Sequence, residues 1–202
     1  MLASGSKGNA IYISDGLTTL LVDAGLSGVE IERRLQAHEL DPGNIDAMIV
    51  SHEHADHIRG VGILSRRYDL PVYLSQKTGG EAGQLIGKIK DMRSFHCGEP
   101  FNVNTLGIHP FSTAHDAEDS AGFTISCNGR KIGIATDLGI ATALVKQNLK
   151  GCDLLILEAN HDPDMLMNGP YPWPLKQRIK GRTGHLSNQD SGELLAELKH
   201  DK

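Results

Sequence analysis

Between Ile49 and Gly60 the chain reads IVSHEHADHIRG. Three histidines and an aspartate crowd into the six positions from His52 to His57, directly behind a short apolar run. In an extended segment residues two apart point the same way, so His52 and His54 can grip one ion together. Asp56 and His57 follow as the chain turns toward a helix, and their changed direction suits a second ion. Paired ions in dinuclear hydrolytic sites lie about 3.5–4 Å apart, within reach of such a cluster. Four ligand-type side chains in this order form a two-metal pattern rather than a solvated turn. One cluster cannot complete two coordination shells. A fold that uses it must bring further donors from distant strand ends.

Two candidates stand where predicted strands stop. His115, in FSTAHDAEDSAGF, follows one strand and would cap the first ion; Asp137, in KIGIATD, ends another, where a carboxylate can bridge both ions. Imidazole and carboxylate donors without thiolate suit zinc or manganese, with iron as a further candidate. Water or hydroxide bridging two such ions has its pKa lowered toward neutrality and can attack an electrophilic centre. That is hydrolytic chemistry.

The strand ends follow from hydrophobic patterning. Short strands are expected at 10–14, 19–25, 46–51, 71–75, 106–112, 122–127, 131–137 and 152–160. Helices are expected at 27–40, where Val29, Ile31 and Leu35 recur at helical spacing, and at 57–68, 78–89, 139–149 and 187–199. Ser187 or Asn188 would cap the last of these. Residues 165–185 read as a long loop punctuated by Pro and Gly, with one helical turn. Interleaved strands and helices predict sheet layers covered by helices. At 202 residues and 39% hydrophobic content, one domain spanning 1–202 is the simplest organisation.

The net charge of −5 excludes a global basic field for long duplex nucleic acid. Cys97, Cys127 and Cys152 form no CxxC pair and read as reduced thiols. No apolar run approaches a membrane span, and MLASGSKGNA lacks the charged and apolar regions of a signal peptide. The expected setting is the cytoplasm, without a membrane partner. Nothing in the pattern sets an oligomeric state.

SHEHADHIRG, taken with His115, Asp137 and GHLS, resembles the metallo-β-lactamase superfamily. The resemblance implies an α/β fold of the αββα four-layer type, two mixed sheets flanked by helices, with two divalent ions at one sheet edge. LVDAG, holding Asp23, is similar to the superfamily's early strand-end aspartate, which supports the metal loop instead of ligating. Flavodiiron oxygen reductases carry a glutamate where His54 stands, which argues against redox chemistry. LASGSKGNA, LLVDAGLSG, PFSTAHDAEDSAGFTI, LEANHDPDML and GPYPWPLKQRIKGRTGHLSN resemble the WalJ/YycJ-like branch, single-strand-active exodeoxyribonucleases.

Further roles follow from the resemblance. His185, in GHLS, would face the scissile phosphate as proton donor or oxyanion stabiliser. The superfamily's last metal-ligating histidine comes on a strand beyond the next helix. The chain stops at Lys202, and His200, at the predicted helix end, reads as surface. The expectation is a domain lacking the start of the first strand and the C-terminal strand and helix. Glu158, Asn160 and His161, closing LLILEANH, resemble the acidic strand-end motif of RNA-processing relatives and would support the site or relay protons.

Three readings rest on the residues themselves. SGSKGN lacks P-loop spacing; it is either a glycine turn bringing Asn9 to the site for substrate or a plain hairpin lead-in. Lys176, Arg178, Lys180 and Arg182 are either a solvated basic face or contacts to a phosphate backbone. Tyr171 and Trp173 would stack on bases or pack down their loop. His38, His96 and His109 have no partner spacing. The leading functional expectation is a dinuclear phosphodiesterase or exonuclease acting on single-stranded DNA ends or another phosphodiester, with Asp56 and His185 catalytic. The alternatives are hydrolysis of a small ester, thioester, lactone or β-lactam, and a catalytically weak truncated form.

Overall fold

Strands β2 (Thr19–Val22) and β3 (Ala47–Ile49) pair in parallel, with Leu20 opposite Ala47 and Val22 opposite Ile49. Parallel strands need a long crossover and are covered on both faces. Accordingly all four residues of β2 are buried, and helix α1 (Gly28–Gln36) makes the crossover. The computed structural model describes residues 1–199; His200 lies outside them. By contact density the chain forms two compact units, Met1–Gly107 with Ala117–Asp119, and Ile108–Asp116 with Ser120 onward.

In the first unit β1 (Ile11–Ser14) runs antiparallel to β2, while β4 (Val72–Ser75) and β5 (Met92–Phe95) extend the sheet in parallel, giving the order β1-β2-β3-β4-β5. Helices α2 (Ala55–Ile58), α3 (Val61–Tyr68) and α4 (Gln76–Ile86) complete the crossovers. Their apolar faces share one core, with Leu21, Ile31, Leu35, Met48, Leu64 and Val72 at its centre. Because β2 and β3 are parallel, their carboxyl ends open onto one sheet edge, the usual ligand side of such sheets. Asp23 and the loop from Ser51 to His57 leave from that edge.

The second sheet has the order β10-β9-β8-β7-β6. It comprises β6 (Phe101–Val103), β7 (Leu106–Ser112), β8 (Ala121–Cys127), β9 (Arg130–Ala135) and β10 (Leu154–Leu157). Strands β8 and β9 form a hairpin turned by Asn128 and Gly129, both at positive φ (49° and 76°), as a tight Asn-Gly turn requires. Helix α5 (Ala143–Leu149) links β9 to its parallel neighbour β10. Val145 and Leu149 pack with Phe111, Leu138, Leu186 and Leu194, the last on helix α8 (Asn188–Leu198). Ser187 caps α8 by accepting from the Asp190 amide. Among the described residues no helix is long and apolar enough to cross a membrane.

Three expectations change. Two helices, α6 (Pro163–Asn168) and α7 (Trp173–Lys180), occupy much of a segment expected over 165–185 to be a loop with one helical turn. The prolines sit in the first turns, where proline's fixed φ starts a helix instead of breaking it. The helix expected from 57 to 68 is broken between α2 and α3, because Gly60 lies against the backbone of the Asp23 loop: its amide donates to the Ala24 carbonyl, and a Cβ there would lie 2.5 Å from the Leu26 carbonyl oxygen. Val29 is 66% exposed, so of the three recurring apolar residues only Ile31 and Leu35 enter the core.

This core makes a direct prediction. Leu64→Ala empties a fully buried site and should cost about 2–5 kcal/mol of unfolding free energy. Leu17→Ala, at 80% exposure in a turn, should stay within about 0.5 kcal/mol. Urea unfolding of the two variants checks both.

Candidate metal centre

In the first unit the histidine loop is built on a buried carboxylate. Asp23 is 2% exposed and adopts φ +58°, a left-handed conformation that Asp tolerates better than most residues. One carboxylate oxygen accepts from the Ser51 amide at 2.8 Å; the other accepts from Ser51 Oγ at 2.9 Å and meets His57 Nδ1 at 2.8 Å. A carboxylate at Nδ1 puts the ring proton there and leaves the Nε2 lone pair for another partner. This arrangement orients ligating histidines in metal sites. The Asn9 side-chain amide reaches that Nε2 at 3.0 Å, and Asp56 Oδ2 is 3.7 Å from it. His52, fully buried, places Nε2 at 3.1 Å from His54 Nδ1, and its ring centroid is 4.0 Å from that of His57.

Backbone contacts lock the three loops of this edge together. The Asn9 amide donates to the Asp56 carbonyl, Gly25 to Asn9, and Ala24 to His57. A Cβ on Gly25 would lie 1.6 Å from the Asp56 carbonyl oxygen, so only glycine permits this approach. Within SGSKGN, Asn9 is 8% exposed, and its Oδ1 accepts from the Gly5 amide. Glu53, between the two loop histidines, uses Oε1 to accept from the Glu118 amide at 2.8 Å.

The second unit gathers His115, Asp137 and His185, one ligand atom of each lying within 4.8 Å of the others. Asp137 follows β9 with φ +53°, the same left-handed departure that Asp23 makes after β2. His115 turns Nδ1 to the Gly184 carbonyl at 3.0 Å. His185 turns Nδ1 to Glu158 Oε1 at 2.6 Å, and the same nitrogen is 3.4 Å from Asp137. The other oxygen of Glu158 accepts from the Leu138 and Leu186 amides, so this one carboxylate fixes both the Asp137 loop and the His185 loop. A Cβ on Gly139 would sit 2.3 Å from the Arg182 carbonyl oxygen, and one on Gly184 would sit 2.1 Å from that of Arg178. These loops too close only on glycine.

Electrostatics separates the two histidines. Burial lowers the His115 pKa against the opposing charge of Asp137, which favours the neutral, ligating form. Burial also pulls on His185, but the Glu158 hydrogen bond and charge, with the charge of Asp137, outweigh it and raise its pKa. His185 is thus suited to hold a proton. His161 is lowered by burial, and its buried Nδ1 has no hydrogen-bond partner.

Each unit therefore presents imidazole nitrogens and carboxylates, with the His52, His57, His115 and His185 rings each held through Nδ1. This is a donor set that fits divalent zinc, manganese or iron. Residues 18–202 match the family model of the beta-lactamase superfamily domain. The chain belongs to the metallo-β-lactamase superfamily. It is 38% identical over 204 residues to an exodeoxyribonuclease, YycJ, of Bacillus anthracis, covering 100% of this chain and 77% of that relative. It is 36% identical over 199 residues to the exodeoxyribonuclease WalJ of Streptococcus pneumoniae serotype 2, covering 96% of this chain and 74% of that one. Among solved structures, the metallo-β-lactamase fold protein YhfI of Bacillus subtilis aligns with a TM-score of 0.74 at 20% identity, over 97% of this chain and 76% of its own. The two mixed sheets flanked by helices are those of the superfamily. By family the chain is a metal-dependent hydrolase.

The remaining site residues named from the sequence are spread differently. Arg178 is paired with Asp116 at 2.6 Å, and Lys176 donates to the Met167 carbonyl at 2.7 Å, while Lys180 and Arg182 are exposed. Asn160 is exposed, with its amide on the Leu186 carbonyl. Ser51, Asp116 and Gly184 were not singled out, yet they hold Asp23, Arg178 and His115 respectively. Ser51 could have been read from its place between the strand and His52. Asp116 and Gly184 carry no local signal, since their partners lie 62 and 69 residues away.

Asp23→Asn keeps the shape but removes the charge behind His57. Metal affinity should fall about 10–100-fold, read by competition with a chelating dye; unchanged affinity would detach Asp23 from the metal function.

Proposed function

We propose that the chain is a dinuclear phosphodiesterase acting on single-stranded DNA ends. In this reading His52, His54 and His115 serve one ion, and Asp56, His57 and Asp137 serve the other, with Asp137 shared. Sequence spacing and family membership support that assignment. Bound there, divalent ions would supply Lewis acidity toward phosphate and an acidified water as nucleophile. The chain's own side chains do the rest. Asp23 keeps His57 in its ligating tautomer; the glycine contact at Gly25 holds the donor loops of the first unit together, and those at Gly139 and Gly184 hold the loops of the second. His185 carries a proton to the departing oxygen, with Glu158 orienting its ring.

The observation of the site that supports this reading is the His185–Glu158 pair at 2.6 Å, with His185 3.4 Å from Asp137. It provides an oriented proton donor beside a metal-type carboxylate, which an alkoxide leaving group needs. The two relatives named exodeoxyribonucleases support DNA as the substrate. The reduced thiols expected from the sequence fit action in the cytoplasm.

The test is cleavage of end-labelled single-stranded DNA by the zinc- or manganese-loaded chain, beside a thioester control. Stepwise shortening of the DNA is expected, with Asp137→Ala inactive. His185→Ala should lose about 10²–10⁴-fold in kcat with little change in KM. Thioester turnover without DNA cleavage, or full activity in Asp137→Ala, would overturn the reading.

A further inference from the structure

Helix α7 projects the chain's one tryptophan into solvent. Trp173 is 60% exposed and Tyr171 53%, and no residue of α7 is buried. Two aromatic rings left in water forgo the burial that usually stabilises them. Pro170, Pro172 and Pro174 alternate with them and stiffen the backbone, so the rings are presented with little conformational freedom to lose on binding.

The other end of α7 is fastened beside the His115–Asp137–His185 cluster. Arg178 grips Asp116, the neighbour of His115, through two nitrogens at 2.6 and 3.2 Å. The His185 amide donates to the Ile179 carbonyl at 2.8 Å. Arg178 is therefore committed to holding the helix. Trp173, Gln177 and Lys180 follow one another at helical spacing along a shared face, and Arg182 follows just beyond. Lys180 and Arg182 are exposed, and no ion pair engages them among the described residues. From Trp173 to Lys180 the helix rises about 10 Å.

We propose that Tyr171 and Trp173 form a stacking platform for unpaired bases, with Lys180 and Arg182 taking the adjoining phosphates and the Arg178–Asp116 pair setting the platform's distance from the His115 cluster. The proposal rests on the nuclease reading above and assigns its strand preference. Bases in a duplex are already stacked and paired, so their faces are closed to such rings; single-strand bases offer a π-face whatever their sequence. Cations beside aromatics in a chain of net charge −5 mark a local site rather than a general basic surface.

The test uses the metal-loaded full chain and an octathymidylate with phosphorothioate linkages, which resists cleavage. Stacking should quench the Trp173 fluorescence saturably, and the matching duplex should quench it at least tenfold more weakly. With cleavable octathymidylate, Trp173→Ala should raise KM about tenfold with kcat within about twofold, and Trp173→Phe should restore most of the loss. No quenching, or an unchanged KM in Trp173→Ala, overturns the platform. Hydrolysis of bis(p-nitrophenyl) phosphate by the wild-type chain reports separately on the catalytic reading. Turnover without quenching rejects the platform alone. Quenching without turnover keeps the platform and rejects the nuclease.

Discussion

The Asp23 carboxylate, 2% exposed, is the contact on which the histidine loop depends. Taking a charge out of water is costly unless every lone pair finds a donor. Here the Ser51 amide, the Ser51 hydroxyl and His57 Nδ1 supply three. In return the carboxylate dictates the tautomer of His57 and the direction of its Nε2. The left-handed turn at Asp23 frees Ala24 and Gly25 to bond the His57 and Asn9 carbonyls, so strand β2 and the metal loop cannot shift independently. Gly25 and Gly60 are required because backbone touches backbone at both points.

The second unit repeats the device with different members. Asp137 also leaves its strand at positive φ, and Glu158 orients the His185 ring through Nδ1 as Asp23 orients that of His57. The environments then part company. Burial favours the neutral form of His115, while two carboxylates favour a proton on His185. Two similar imidazoles thereby acquire opposite chemical tendencies from their neighbours alone, one suited to ligation and one to proton transfer.

Much of this was legible in the sequence because it is local. The buried strands showed as short apolar runs, HxHxDH showed as a cluster, and Ser187 showed as a cap before an amphipathic helix. Asp137 was visible as an acid at a strand end, and Asp23 through the family resemblance of LVDAG. What escaped depended on distance or on double meaning. Asp116 and Gly184 act on partners far along the chain. The prolines of residues 163–174 break helices in general but begin them in the first turn, so α6 and α7 read as loop. Strand β5 is mostly exposed and β6 is only three residues long, so neither carried enough hydrophobic pattern to register. The exposure of Trp173 was equally hidden, since a proline-flanked aromatic packs down as often as it projects.

The proposed function assigns two metal ions to the histidine loop and the strand-end aspartate. Native mass spectrometry of the zinc- or manganese-saturated chain tests it most directly. The account predicts two ions per wild-type chain, falling to one or none in Asp137→Ala with the fold intact by circular dichroism. A wild-type chain that takes up no more than one ion at saturation would contradict it.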